Sequence, residues 1–171
     1  TFTVFNVAAS RKREELVATI GEHYQGVVTS DRAGMYHSLR HVQYCWAHLK
    51  RDFQAIADCC DPVASEIGEE LLANTSVLFR QYGRYRDGAT SFAGLRQSLG
   101  KVRRTIKVLL ERGLECAHAK TSGTCQKLYW ERERLWTFLD GPNAAADPIE
   151  PTNNASERSP RSAVIKPKLS F

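Results

Sequence analysis

Gly26-Val27-Val28-Thr29-Ser30-Asp31 is the stretch on which the fold class turns. Its short apolar run suits a buried strand and is too brief for a helix. It ends on an acidic side chain. Residues 1–8 (TFTVFNVA) alternate and are rich in β-branched and aromatic side chains, so they predict a strand upstream. Residues 41–46 (HVQYCW) predict a third. Ser10 is positioned to cap a helix over residues 11–24, with Leu16, Val17 and Ile20 as its apolar stripe. Strand, helix, strand, helix, strand within residues 1–46 implies right-handed crossovers and a partly parallel sheet, an α/β arrangement.

Beyond Trp46 the pattern changes to four helices. Residues 47–59 carry Leu49, Phe53, Ile56 and Ala57 at helical spacing. Residues 63–82 carry Ile67, Leu71, Leu72, Val77 and Leu78, and residues 92–112 carry Leu95, Leu99, Val102, Ile106, Leu109 and Leu110. Residues 121–139 carry Leu128, Trp130, Leu135, Trp136 and Phe138. Turns are expected near Asp61-Pro62, Asp87-Gly88 and Gly113, which gives a helical bundle or insert. Residues 141–147 (GPNAAAD) form a breaker-rich loop. That loop leads to Pro151-Thr152-Asn153-Asn154-Ala155-Ser156-Glu157-Arg158, which predicts a helix start, with Thr152 or Asn153 accepting from the free N–H groups of the first turn. On such a helix Asn153, Asn154, Glu157, Arg158 and Arg161 share one side. A carboxylate among amides and guanidiniums suits a metal and phosphate site, and a capped surface helix with an ion pair suits the same residues.

The chain has 171 residues, 25% of them charged and 42% hydrophobic, with a net charge of +5 and a pI near 9.0. That balance favours a polyanionic partner over an acidic substrate. No run is long and apolar enough for a membrane span, and no signal peptide is visible. Five cysteines, an odd count without a CxxC pair, point to reduced thiols and a cytoplasmic setting. The spacing of His41, Cys45 and His48 matches no closed tetrahedral zinc pattern.

Two carboxylates carry the chemical reading. Asp31 ends a buried strand, where α/β sheets gather functional groups, and it is equally placed to cap a helix over residues 32–39. Glu157 opens the helix that follows the loop. Acidic side chains far apart in sequence and near in space fit an oxygen-ligand site for magnesium, which takes one or two carboxylates, waters and phosphate oxygens.

GVVTSDRAGMY, CWAHLKRDF, LWTFL and PTNNASER-x-x-R together resemble successive blocks of the insertion sequence 66 family of bacterial transposases. These are DDE enzymes with a ribonuclease H-like catalytic fold, and the match runs from about Arg11 to the C-terminus. The resemblance implies that Asp31 is the second catalytic Asp and Glu157 the catalytic Glu, both holding Mg²⁺ or Mn²⁺. It implies a partial ribonuclease H-like core over residues 1–46, a helical insertion region over residues 47–146, and a returning core helix over residues 147–171. Asn153, Asn154, Arg158 and Arg161 match the motif around the Glu, with site-shaping or phosphate contacts as the implied roles, and Lys168 follows in the same segment. The implied partners are DNA at transposon ends and target, a second copy of the chain, and other element-encoded proteins, without a membrane. The implied setting is the bacterial cytoplasm and nucleoid, and the implied chemistry is strand cleavage and transfer.

The sequence departs from the family in three places. The family's first catalytic Asp lies upstream of this sequence, and residues 1–8 carry no acid. Pro160 stands where an apolar helix former is usual. Lys166-Pro167-Lys168 replaces an Arg-Lys pair. A truncated or decaying copy accounts for all three, and an inactive remnant acting as a DNA-binding or assembly module is the alternative expectation. His48 is read as an active-site or DNA contact, or as a packing or capping residue. Trp46, Trp130 and Trp136 are expected in the core. Arg80, Arg84, Arg86, Arg103, Arg104 and Lys107 give the helical region a basic side, either solvated or set against DNA.

Overall fold

In a computed structural model the described residues are 12–153, and they form a mostly helical α/β mixture around one small sheet. Two compact units divide them. The first draws on residues 12–47 and 136–153, the second on residues 48–135. Ser10 and the expected strand over residues 1–8 lie outside the described residues.

In the first unit, α1 (Arg13–Ile20) is shorter than the helix expected over residues 11–24 and buries Leu16. Gly21 stops it at φ +85, a left-handed conformation that favours glycine, with its N–H on the Val17 carbonyl. β1 (Val28–Ser30) and β2 (Val42–Tyr44) pair in parallel, Val28 opposite Val42 and Ser30 opposite Tyr44. Flanking hydrogen bonds extend the ladder: the Val28 N–H donates to the His41 carbonyl and the Cys45 N–H to the Ser30 carbonyl. Every side chain of β2 is buried, as expected for a parallel strand covered on both faces.

The helix expected over residues 32–39 does not form. Arg32 takes φ +72, which no right-handed helix accepts, and only a 3₁₀ turn at Gly34–Tyr36 follows. Asp31 therefore caps no helix. Its Oδ1 accepts the Ala33 N–H at 3.1 Å in an Asx turn.

Gln43 is fully buried inside β2, and both ends of its amide are bonded. Oε1 accepts the Phe138 N–H at 2.7 Å and Nε2 donates to the Tyr44 carbonyl at 2.6 Å. Phe138 belongs to α6 (Thr137–Asp140), whose N-cap Trp136 supplies no side-chain bond, so a strand residue caps this short helix. The Thr137 hydroxyl donates to the Val42 carbonyl alongside. Trp46 and Trp136, ring centroids 5.2 Å apart, complete the core with Tyr44 and Phe138.

α2 (Trp46–Ala57) starts in the first unit and continues in the second, where Leu49, Phe53 and Ile56 are buried. α3 (Pro62–Arg86) begins with Asp61 accepting the Ala64 N–H and Pro62 in the first turn, where a missing N–H costs nothing. α4 (Phe92–Leu114) is capped by Ser91 and buries Leu95, Leu99, Val102, Ile106, Leu109 and Leu110. Arg112 of α4 reaches Glu66 and Glu70 of α3 at 3.2 and 3.0 Å, so the two helices run antiparallel about the turn at Gly88.

Gly113 is not a turn but a buried position within α4. A Cβ there would lie 2.7 Å from the Cys125 Cβ, so glycine lets α5 (Ala119–Trp130) pack closely. The single helix expected over residues 121–139 is three pieces: α5, a 3₁₀ turn at Arg132–Leu135, and α6. Trp46 and Trp136 are core residues, at 0% and 3% exposure, but Trp130 is 72% exposed. The last position of α5 turns its indole to solvent, while Cys125 and Leu128 of the same helix are buried.

Candidate functional site

The described site elements meet at the carboxyl end of the strand pair. β1 delivers Ser30, buried, and then Asp31, exposed. Ser30 Oγ accepts the Arg32 N–H at 3.3 Å, and with the Asp31 Asx turn it holds the first residues after the strand. Beside it, β2 runs into Cys45, whose N–H bonds back to the Ser30 carbonyl.

The chain returns to this same edge after residue 136. The Trp46 N–H donates to the Pro151 carbonyl at 2.9 Å, and the Asn153 N–H approaches the Cys45 Sγ at 3.4 Å. Pro151 is buried, and the Asn153 side-chain oxygen is buried without a hydrogen-bond partner among the described residues. A buried acceptor left unbonded is costly in a finished core, and such atoms are frequent where a ligand or ion belongs.

Of the residues singled out in the sequence, Asp31 and Asn153 thus flank one sheet end. His48 lies in the first turns of α2 and is half-buried. Asn154, Glu157, Arg158, Arg161 and Lys168 lie outside the described residues. Among the described residues no three His, Cys, Asp or Glu side chains cluster closely enough to hold a metal ion. All five cysteines are free thiols, and burial, with Cys116 nearby, pushes the Cys125 thiol up to about 11.

The basic side of the helical unit is partly neutralised from within. Arg103 pairs with Glu133 at 2.6 Å, Lys107 with Glu111 at 3.3 Å, and Arg86 with Asp87 at 3.2 Å. The Tyr129 hydroxyl, donating to Glu111 at 3.0 Å, holds that carboxyl below its ordinary range, helped by Lys107 and Arg132. Glu66 and Glu70 raise Arg112 further above its usual value. Arg80 and Arg104 are exposed and have no ion pair among the described residues.

Two features escaped the sequence reading. Gln43 sits in an apolar run, VQYCW, where its only signal was being the polar exception. Trp130 looked like core because it sits in an apolar run with Leu128 and Leu135, yet it stands two positions from buried Leu128, on the other side of the helix, and α5 ends at that residue.

No helix among the described residues is long and apolar enough to cross a membrane. No curated protein and no solved structure matches the chain. The family model described as Transposase IS66 family matches residues 1–171, the whole sequence. The chain belongs to the IS66 family of transposases.

Proposed function

We propose that Asp31 and Glu157 are two carboxylates of a metal-dependent centre for DNA strand cleavage and transfer. In this reading the strand pair belongs to a ribonuclease H-like core, and the helical unit is an insertion between the two acids. One observation carries the proposal: the segment leading to Glu157 is tied at Pro151 and Asn153 to the residues that follow β2, at the end of the sheet where Asp31 leaves β1. Four residues of chain separate Asn153 from Glu157, a reach of at most about 14 Å.

The donor set suits a hard divalent cation such as Mg²⁺ or Mn²⁺. Asp31 is exposed and uses one oxygen on the Ala33 N–H, which leaves the other without a partner among the described residues. The Asn153 side-chain oxygen is a neutral acceptor of the kind found beside such ions. A divalent ion bound there supplies Lewis acidity toward phosphate oxygens. Asp31 holds its carboxylate through the Asx turn, Asn153 orients the approach to Glu157, and Asn154, Arg158, Arg161 and Lys168 offer donors to the DNA backbone. His48 is assigned a contact with DNA.

Titration calorimetry with Mn²⁺ on the chain and on Asp31→Ala and Glu157→Ala tests this. Loss of the binding heat in both variants is the expected result. Equal heats in all three proteins would overturn it and favour a catalytically silent DNA-binding or assembly module.

A further inference from the structure

The outer side of α5 carries four residues that the metal centre does not use. Lys120, Gly123, Lys127 and Trp130 recur at three, four and three positions, the spacing of one helix stripe. The opposite side is buried through Thr121, Cys125 and Leu128, so the stripe faces solvent. Lys120 and Lys127 are exposed and have no ion pair among the described residues, unlike Arg103 and Lys107. Among the described residues Trp130 is the most exposed of the large apolar side chains, at 72%.

The indole is also held in place. Tyr129 lies edge-on to it, ring centroids 5.7 Å apart, and is itself anchored by its hydroxyl on Glu111 and by Arg132, 4.9 Å above its ring. Gly123 has nothing within 4 Å of where a Cβ would lie, so no internal contact demands glycine there. A glycine inside a helix is unfavourable. What it provides is bare helix backbone between two ammonium groups, open to close approach by another chain.

We propose that this stripe binds single-stranded DNA, with Lys120 and Lys127 on successive phosphates and an unpaired base stacked on Trp130. Lysines are depleted in protein–protein interfaces, and unpaired ammonium groups on a chain of net charge +5 match a polyanion. An exposed, braced indole face needs a base that has left its duplex stack. The inference rests on the transposase reading for the source of unpaired DNA, at a cleaved or melted end.

The test is quenching of intrinsic tryptophan emission in the whole chain by a thymidine 12-mer. Trp46 and Trp136 are buried, so Trp130 is the reporter. Quenching is expected in the parent and absent in Trp130→Phe. Trp130→Ala should weaken binding about 5- to 150-fold. Lys120→Gln with Lys127→Gln should lower the slope of log affinity against log salt by about 1.4. These positions are exposed, and far-UV circular dichroism verifies that each variant folds.

Absence of quenching, or a Trp130→Ala variant that binds like the parent, overturns the proposal. So does altered sedimentation of free Trp130→Ala without any change in oligonucleotide binding, which would assign the stripe to a second copy. Asp31→Ala should quench like the parent. Quenching without Asp31-dependent Mn²⁺ heat would remove the metal centre and keep the stripe; the reverse pattern would do the opposite.

Discussion

Gly68 and Gly83 lie on the same helix, and the same substitution should move stability in opposite directions. Gly68 is buried where α3 crosses the end of α2. A Cβ built there meets the Ala57 backbone nitrogen, lies 2.6 Å from the Ala57 Cα and lies 2.8 Å from the Ile56 carbonyl carbon. All three are backbone atoms, so no side-chain rotation relieves the contact and the helices must separate. Gly83 has nothing within 4 Å of its Cβ position. Glycine to alanine inside a helix gains about 1 kcal/mol from propensity at either position, somewhat less at Gly83 near the helix end. Overpacking a tight site costs about 1–3 kcal/mol, with backbone clashes at the upper end. Gly83→Ala should therefore stabilise by about 0.5–1 kcal/mol and Gly68→Ala destabilise by about 2 kcal/mol. Because propensity is nearly common to both, the gap isolates the steric term. A gap of about 3 kcal/mol corresponds to about 6–12 °C in Tm for a chain of this size. Urea unfolding followed by ellipticity at 222 nm reads it, since helices dominate that signal. If Gly68→Ala proves as stable as Gly83→Ala, the close crossing of α2 and α3 is wrong.

Two further outcomes follow from buried polar chemistry. Gln43→Leu strands the Phe138 N–H, now bonded at 2.7 Å, and should cost about 1–3 kcal/mol; emission from Trp46 and Trp136, both in the first unit, reports the unfolding midpoint, and an unshifted midpoint would refute the capping role. The Cys125 thiol is raised to about 11 from 9.0, so between those values the folded chain keeps a proton that the unfolded chain releases. Stability should be insensitive to this group below pH 9 and fall as pH rises beyond it, and Cys125→Ser should flatten that decline. At pH 8 iodoacetamide should label exposed Cys60 first and Cys125 only after unfolding, as resolved by peptide mass.

What the sequence makes legible follows from how local each signal is. Val28–Ser30, Val42–Tyr44, the Leu-spaced helices and the break at Asp61-Pro62 all appear where period and turn chemistry put them, because each depends on near neighbours. Arg32 broke the expected helix over residues 32–39 by taking a left-handed φ, a choice fixed by the Asp31 turn and the strand before it rather than by its own propensity. Gly113 read as a turn because glycine carries two meanings, and only the approach of Cys125 distinguishes packing from punctuation. Trp130 and Trp136 belong to one apolar run, yet α5 ends between them: one meets solvent and the other Trp46. At the candidate site Asp31 was legible from its place after VVTS. The ties from Pro151 to Trp46 and from Asn153 to Cys45 span more than a hundred positions, beyond any local pattern.

That long return shapes how the molecule is made. The strand pair emerges early, but Gln43 and Phe138, its internal seal, are 95 positions apart. Closing so large a loop in a disordered chain costs about 4 kcal/mol of entropy. The unit over residues 48–135 is continuous and helical, so local contacts suffice to build it. At about 5–20 residues per second, the hundred or so residues between Ala47 and Asn153 take about 5–20 s to synthesise. For that interval β2 lacks the bonds that Thr137 and Phe138 make to it. Chaperone demand, and sensitivity to translation speed through the helical region, should therefore concentrate on residues 28–46.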